Sequence, residues 1–316
     1  SFGESVSSAD YGNRDVQISS DSKGAAFLRG FDTAVIVEPL TGNILNEFLL
    51  PYAVYNKNIR FSNDLKKAVF SFDKNGEHGI TMVDLTSGNI ILEKNTGIVH
   101  LFDFSPDDKV LAVWAWYSTD VSFYSIETGE LLSSIEIEDQ QTVSEFYFSP
   151  DGKIAGIKMK DQIRFFDTIK WEELFSLSLG KVAFFPDGSK IIVADGSINV
   201  FSAVDGSKID YPAFEMTAKV AVISADEKYL LTDSGVYEIG TDRFIPFTTH
   251  YFGVTDVDIS SGNSLLITEG RDTLRIIDAK DILESYEGEC SVDSDCETGF
   301  FCNAKVSHCF ADIEYK

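Results

Sequence analysis

One short fragment comes back seven times along this chain. It reads Ile-Ser-Ser-Asp at 18–21, Phe-Ser-Asn-Asp at 61–64, and Phe-Ser-Pro-Asp at 104–107 and again at 148–151. It continues as Phe-Pro-Asp at 185–187, Ile-Ser-Ala-Asp at 223–226 and, worn down, Ile-Ser-Ser-Gly at 259–262. With the last residue of each fragment as a marker, the gaps are 43, 43, 44, 36, 39 and 36 residues. A unit of this length cannot bury its own apolar face, so the copies must pack on one another.

The third unit shows what is being repeated. Leu101-Phe102-Asp103-Phe104 reads as a first strand, followed by the turn Ser105-Pro106-Asp107-Asp108. Proline presets one backbone angle of such a turn, and aspartate bonds its own backbone two residues on. Val110 to Trp116 is an apolar second strand, and Val121 to Ile126 an alternating third. After the Thr128-Gly129 turn, Leu131 to Ile137 reads as an outer strand, again alternating. Thr41-Gly42, Ser87-Gly88 and Asp205-Gly206 are equivalent turns, with glycine supplying a positive φ. Val35-Ile36-Val37, Thr81-Met82-Val83, Arg164-Phe165-Phe166, Asn199-Val200-Phe201 and Arg275-Ile276-Ile277 are equivalent third strands. No long stretch keeps a helical apolar period. The expected fold class is all-β, a seven-bladed β-propeller with four-stranded antiparallel blades.

The Phe-Ser-Pro-Asp-Gly-Lys run at 148–153 resembles the blades of WD40-like and YVTN-type propellers, over about residues 15–286. The Gly-His pair of WD40 repeats is absent. Their Trp-Asp pair is replaced by Val83-Asp84, Tyr124-Ser125, Phe166-Asp167 and Ile277-Asp278. The resemblance implies a fold and leaves the function open, because such a scaffold hosts many. The expected organisation is a segment at 1–14 packing on the closing blade, the propeller at 15–286, and a cysteine-rich tail at 287–316.

A chain of 316 residues buries roughly three quarters of its unfolded surface. The 25 phenylalanines suit packing between stacked sheets. The formal charge of −25 repels phosphate backbones and anionic lipid heads, so no nucleic-acid partner is expected. No run of 18 apolar residues exists, so no membrane insertion through an apolar helix is expected either. Such charge suits solubility in a salty medium, with attraction of cations or of a basic partner as the functional reading.

All four cysteines, Cys290, Cys296, Cys302 and Cys309, lie in the last 27 residues. An even number packed into a short loop-rich stretch argues for two disulfides and an oxidising compartment. Three pairings are open. Cys290–Cys302 with Cys296–Cys309 is the expected one, because nested short loops close only with strain. Gaps of five, five and six residues between them differ from the two-residue gaps of zinc knuckles and ribbons. The Asp-x-Asp-Cys-x-x-Gly-x-x-Cys pattern is similar to the cysteine-rich modules of secreted Dickkopf and colipase-like proteins, over some 20 residues. The start Ser1-Phe2-Gly3-Glu4, without Met or an apolar leader, is what a mature secreted form would show. No Asn-x-Ser/Thr site is present. The expected location is extracellular.

In a propeller the Ser-Pro-Asp and Thr-Gly turns share one side. The loops between second and third strands, and those joining units, share the other and vary, which is where binding normally sits. Here they are 51–58, 73–79, 93–100, 116–120, 138–144 and 248–255. They hold His78, His100 and His250 together with Tyr52, Tyr55, Trp116, Tyr117, Tyr251 and Phe252. The sharp reading is an aromatic-rimmed pocket with imidazoles at its mouth; the bland one is amphipathic residues capping blade tips. Two histidines with Asp120 would make a metal site of His and carboxylate type. Asp73-Lys74-Asn75-Gly76-Glu77 has the donors of half a calcium loop without the bidentate glutamate, and Asp293-Ser294-Asp295 is a second alternating pair.

No catalytic motif is visible: there is no Gly-x-Ser-x-Gly, no His-Glu-x-x-His and no glycine-rich phosphate loop. The expected function is that of a secreted, non-catalytic binding or assembly module for a protein, a glycan or a second copy. Its contacts would come from Tyr55, His78, His100, Trp116, Tyr117, Asp120, His250 and Tyr251. No cofactor is required, with calcium as the candidate ion. The alternative is a propeller enzyme, a hydrolase, lyase or oxidoreductase, acting on a small molecule in the central funnel.

Overall fold

The computed structural model describes residues 17–311 except 20, 22, 39–41, 117, 138–141, 212–220, 225, 233–234, 240–243, 247–253, 260–263, 270–272, 279–285, 290–299 and 304–307. Side-chain surroundings are described as far as residue 239, apart from residues 18, 56, 57, 100 and 221. The segment expected at 1–14 lies outside the described residues.

The chain is all-β, and among the described residues there is no helix, hence none long and apolar enough to cross a membrane. The first sheet holds β1 (Gln17–Ile18), β2 (Ala25–Arg29), β3 (Thr33–Val37) and β4 (Ile44–Leu49). The second holds β5 (Val54–Phe61), β6 (Lys67–Lys74), β7 (Glu77–Asp84) and β8 (Ile90–Lys94). The third holds β9 (Val99–Phe104), β10 (Val110–Ala115), β11 (Asp120–Ser125) and β12 (Leu131–Glu136). The fourth holds β13 (Glu145–Phe148), β14 (Ile154–Lys158), β15 (Ile163–Asp167) and β16 (Glu173–Leu177). The fifth holds β17 (Lys181–Phe184), β18 (Lys190–Ala194), β19 (Ile198–Ser202) and β20 (Lys208–Ile209). The sixth holds β21 (Ala221–Ile223), β22 (Tyr229–Thr232), β23 (Gly235–Glu238) and β24 (Phe244–Pro246). A three-stranded sheet follows, of β25 (Val254–Ile259), β26 (Ser264–Glu269) and β27 (Thr273–Asp278). The last sheet orders β28 (Tyr286–Glu289), β30 (His308–Ala311) and β29 (Phe300–Asn303).

All strand pairs are antiparallel neighbours in sequence up to β27. The first strands β5, β9, β13, β17, β21 and β25 lie beside one another in that order. Where burial is described, the second strands are mostly buried, as at Val110 to Ala115, while the fourth are mostly exposed. This gradient, with first strands sharing one edge, is compatible with a propeller-like arrangement.

The repeated fragment has a single physical job. In five of its copies a buried serine hydroxyl donates to the aspartate two residues on, at 2.7–2.8 Å: Ser19–Asp21, Ser62–Asp64, Ser105–Asp107, Ser149–Asp151 and Ser224–Asp226. Each hydroxyl also accepts the N–H of the residue five on, at 2.9 Å: Gly24, Lys67, Val110, Ile154 and Tyr229. The hydroxyl thus satisfies the first N–H of the second strand, a group that burial would otherwise leave costly. The aspartate then accepts the N–H two residues further, as from Lys109 at 3.3 Å and Lys153 at 3.1 Å. In the fifth unit Phe185, fully buried, takes the serine's place, and Ser189 donates to Asp187 instead at 2.7 Å. In the seventh copy, residues 260–262 lie outside the described residues.

Consecutive sheets stack face to face. Ala26, Leu28 and Ala34 of the first pack with Ile59, Ala68 and Phe70 of the second. Val69, Ile80 and Met82 of the second meet Phe102, Leu111 and Val113 of the third. The pattern runs on through Ala112 and Phe123 against Phe146 and Ile157, then Ile163 and Phe165 against Ile191 and Val193. The turns between third and fourth strands seal these contacts. A Cβ on Gly206, whose φ is +69°, would lie 2.6 Å from the ring of Phe175 in the preceding sheet. In the fourth unit this left-handed position is held by Trp171, with φ +59° and its ring 4.3 Å from that of Phe123. The aromatic contact offsets the steric cost of that backbone angle. Sequence alone gave no turn signal at Ile169-Lys170-Trp171, because the usual glycine is missing.

The first sheet has one further apolar face. Ala25, Phe27, Val35 and Val37 are all buried and form a cluster of their own, on the side away from the second sheet.

The outer strands depart from the alternation read in the sequence. Tyr124 pairs with Leu131 but Phe123 with Ser133, leaving Leu132 as an extra residue. The same slip recurs in β4, β8 and β16. Such bulges sit at sheet edges and sharpen the twist.

Replacing Ser105 by Ala leaves the buried Val110 N–H without its acceptor. The expected loss is about 1–3 kcal/mol of unfolding free energy in urea, with the slope unchanged; an unaltered midpoint would refute this role for the hydroxyl.

Candidate functional site

The two sides expected from the sequence are present. On one, the turn between third and fourth strands is tied to the Ser-Asp turn of its own sheet, as by Leu85 N–H to Lys66 O and Ile126 N–H to Lys109 O. On the other, the connections between sheets join the hairpins between second and third strands. Gly97 N–H donates to His78 O at 3.1 Å, and Trp116 N–H to Ile98 O at 2.8 Å. The pair Gly97–Ile98 therefore links the loop-side ends of the second and third sheets.

Among the described residues, the sequence-predicted Tyr55, His78, His100 and Asp120 stand on strand ends rather than in free loops. Tyr55 begins a wide irregularity in β5, where Val54 pairs with Phe72 but Ile59 with Phe70. The Ser71 hydroxyl holds it by donating to Tyr55 O at 2.7 Å. His78 lies on β7 opposite Asp73, and its ring is 5.0 Å from that of Tyr55. Its Nδ1 is buried, 4.0 Å from an Asp73 oxygen and without a hydrogen-bond partner. Gly79 beside it permits close approach to β8: a Cβ there would overlap the Lys94 carbonyl. Nearby, Tyr52 donates to Glu93 at 3.1 Å and accepts from Lys74 at 3.2 Å, with the ammonium 4.8 Å over its ring. Tyr52 also stands against Phe72, centroids 5.5 Å apart.

Trp116 is 46% exposed, its ring 6.4 Å from that of the buried Trp114. Asp120 opens β11, and its backbone is closed on Ser118, whose hydroxyl donates to Asp120 O at 2.9 Å. His100 lies in β9, but its side chain is outside the described residues, as are Tyr117, His250 and Tyr251. The structure thus brings Tyr55 and His78 together and sets Trp116 on the next sheet end. Among the described residues, no group of three His, Cys, Asp or Glu side chains is placed to hold a metal ion. Asp73 to Glu77 is a tight hairpin, with Lys74 paired to Glu77 and Asp73 accepting Gly76 N–H at 3.0 Å. Asp293 to Asp295, Cys290 and Cys296 fall outside the described residues. Cys302 and Cys309 occupy paired register positions on β29 and β30.

A polar cluster on the first strands went unread in the sequence. Glu145 of β13 accepts from the Tyr147 hydroxyl and pairs with Lys181 of β17 at 3.1 Å and Lys158 of β14 at 3.4 Å. Burial pushes the Glu145 carboxyl up, but the tyrosine and the two lysines outweigh it and hold it below the usual range. The signal was available: Glu145 and Lys181 each stand three residues before the phenylalanine that opens the repeated turn, Phe148 and Phe184. Aligned copies put them on neighbouring first strands.

No protein-family model matches this chain, and no curated protein matches it.

Because its folded-state pKa is depressed, Glu145 contributes stability that is complete above about pH 4.3, the ordinary glutamate value, and fades as pH falls through the lower folded one. The urea midpoint of Glu145→Gln should lie below that of the parent by a constant amount at neutral pH. The two midpoints should converge below pH 4.3; a gap persisting into acid would contradict the ion-pair account.

Proposed function

We propose that the sheets close into a seven-bladed propeller that serves as a non-catalytic binding module, working through its loop side outside the cell. Support for closure comes from the first sheet, whose second apolar face, Ala25, Phe27, Val35 and Val37, is buried although the second sheet covers only the other. A ring supplies that cover from the three-stranded sheet β25–β27. The segment Phe2 to Ser8 would then add the fourth strand or pack at the seam, with the tail nearby. In the tail, Cys302 and Cys309 face each other across β29 and β30; the proposed pairing joins them to Cys290 and Cys296 respectively.

The observation that carries the binding reading is the frame beneath the aromatic side chains. Tyr55, His78 and Trp116 are fixed by backbone and hydroxyl hydrogen bonds on adjacent sheet ends, and Trp116 stays about half exposed. A large aromatic held rigid and left in water costs little further ordering on binding, the usual property of an interface anchor. The partner class is a protein surface or a glycan, both of which stack on such rings.

Two experiments test this. Removing residues 1–10 should lower the melting temperature by several degrees; an unchanged melt removes the seam role. On glycan and peptide arrays, Trp116→Ala combined with Tyr117→Ala should lose the parent's hits at least about tenfold at an unchanged melting temperature. Retained hits, or a parent that binds nothing, would sink the loop-side reading.

A further inference from the structure

The opposite, turn side carries an apolar surface that the fold does not use. Just after the turn into each outer strand stand Ile44–Leu45, Ile90–Ile91, Leu131–Leu132 and Glu173–Leu174. At each pair the register against the third strand slips: Val37 faces Ile44 and Ile36 faces Asn46; Val83 faces Ile90 and Met82 faces Leu92. Tyr124 and Phe123, then Phe166 and Phe165, repeat the slip with β12 and β16. Two consecutive residues thus oppose one, and a bulge of this kind re-aims side chains out of the alternating pattern. Ile44, Leu45 and Leu131 are 55%, 56% and 57% exposed, and Leu132, Ile90 and Leu174 are exposed as well. Recurrence at one structural position in four successive sheets makes this a row, where scattered single residues would mean little.

A cleft of about 440 Å³ lies on the same side between the second and third sheets. Ile91 and Ile126 form its apolar wall, and Asp84, Asp108 and Glu127 outnumber Lys67 in the polar one. Glu127 and Glu130, at the turn into β12, stand exposed on the same side. A second copy of a chain with net charge −25 would bring like charge against like at this row. We propose that the row and its cleft dock an extended, basic segment of a partner protein, in which aliphatic and Lys or Arg side chains alternate. The aliphatic set covers Leu131, Leu132 and Ile90. A cationic side chain enters the cleft beside Glu127. The outermost position of β8 and β12 in their sheets suits an extended partner, whose side chains alternate by two. This surface is separate from the loop side and does not rest on the reading given for it.

The test uses the whole chain and a short peptide of alternating lysine and leucine, with lysine–serine and glutamate–leucine peptides as controls, titrated calorimetrically. Leu131→Ser with Leu132→Ser, both exposed and therefore compatible with an unchanged melting temperature, should weaken binding of the lysine–leucine peptide about tenfold or more. Ile98→Ser, an exposed aliphatic on the loop side, and Trp116→Ala with Tyr117→Ala should leave it within about twofold. Raising the salt should weaken it further, and the two control peptides should bind far less. Equal binding by the double serine variant, or by the lysine–serine peptide, would overturn the proposal. So would sedimentation showing that the parent self-associates through this row and the double variant does not.

Discussion

The structure depends on a buried serine hydroxyl that recurs in five of its units. Each serine of the repeated turn bridges an aspartate and the first N–H of the following strand, at the place where the chain reverses and goes back into the core. Without that bridge a sheet could start its second strand one residue early or late. A slip of one residue in a strand buried on both faces exchanges the two faces, and here each face belongs to a different neighbour. Ala68 and Phe70 belong with the first sheet, Val69 with the third. A local hydrogen bond therefore decides a long-range packing question, which explains why the fragment stands out in the sequence while the apolar residues around it drift between Phe, Ile, Val and Leu.

The aspartates of these turns work as hydrogen-bond acceptors, and at Asp107 and Asp151, against burial, the largest lowering cause is a hydrogen bond from the neighbouring lysine ammonium. At Asp21 and Asp187 serine hydroxyls are the main cause that draws the carboxyl below its usual range. At Asp64, Asp107, Asp151 and Asp226 burial acts in the other direction and is outweighed by hydrogen bonds and a nearby lysine. Asp108 is the exception. It accepts the N–H groups of Asn63 at 2.8 Å and Asp64 at 3.1 Å from the neighbouring sheet, yet burial prevails and raises its pKa. The carboxylates that line the turns are thus working acceptors.

The strand grammar was legible because turn chemistry and the apolar period agree in each unit; the third unit's strands lie within two residues of where they were read. Three things were not legible. Trp171 occupies a left-handed position that only a neighbouring ring, Phe123, makes tolerable, and no local rule announces such a partner. The bulges of the outer strands look like alternation with one residue too many, which a window of six cannot distinguish from a boundary error. The Glu145 cluster needs two units side by side before its charges meet. Of the proposed contact residues, Tyr55 and His78 stand side by side as strand residues, held by Ser71 and Gly79, a pairing the sequence reading did not make. The hydroxyl and the glycine that lock them carry no signature of their own.

The fit between each left-handed turn residue and the sheet before it has an evolutionary reading. Gly206 accommodates the ring of Phe175; Trp171 reaches back to Phe123. Units that look like copies are therefore matched in order, like numbered staves. Transplanting the fourth unit to follow the second would leave its tryptophan without the phenylalanine it leans on, and placing it before the third would press Phe175 on a turn shaped for another neighbour. The modules are therefore not interchangeable, and a change in their number by simple recombination would forfeit the contacts that Trp171 and Gly206 make.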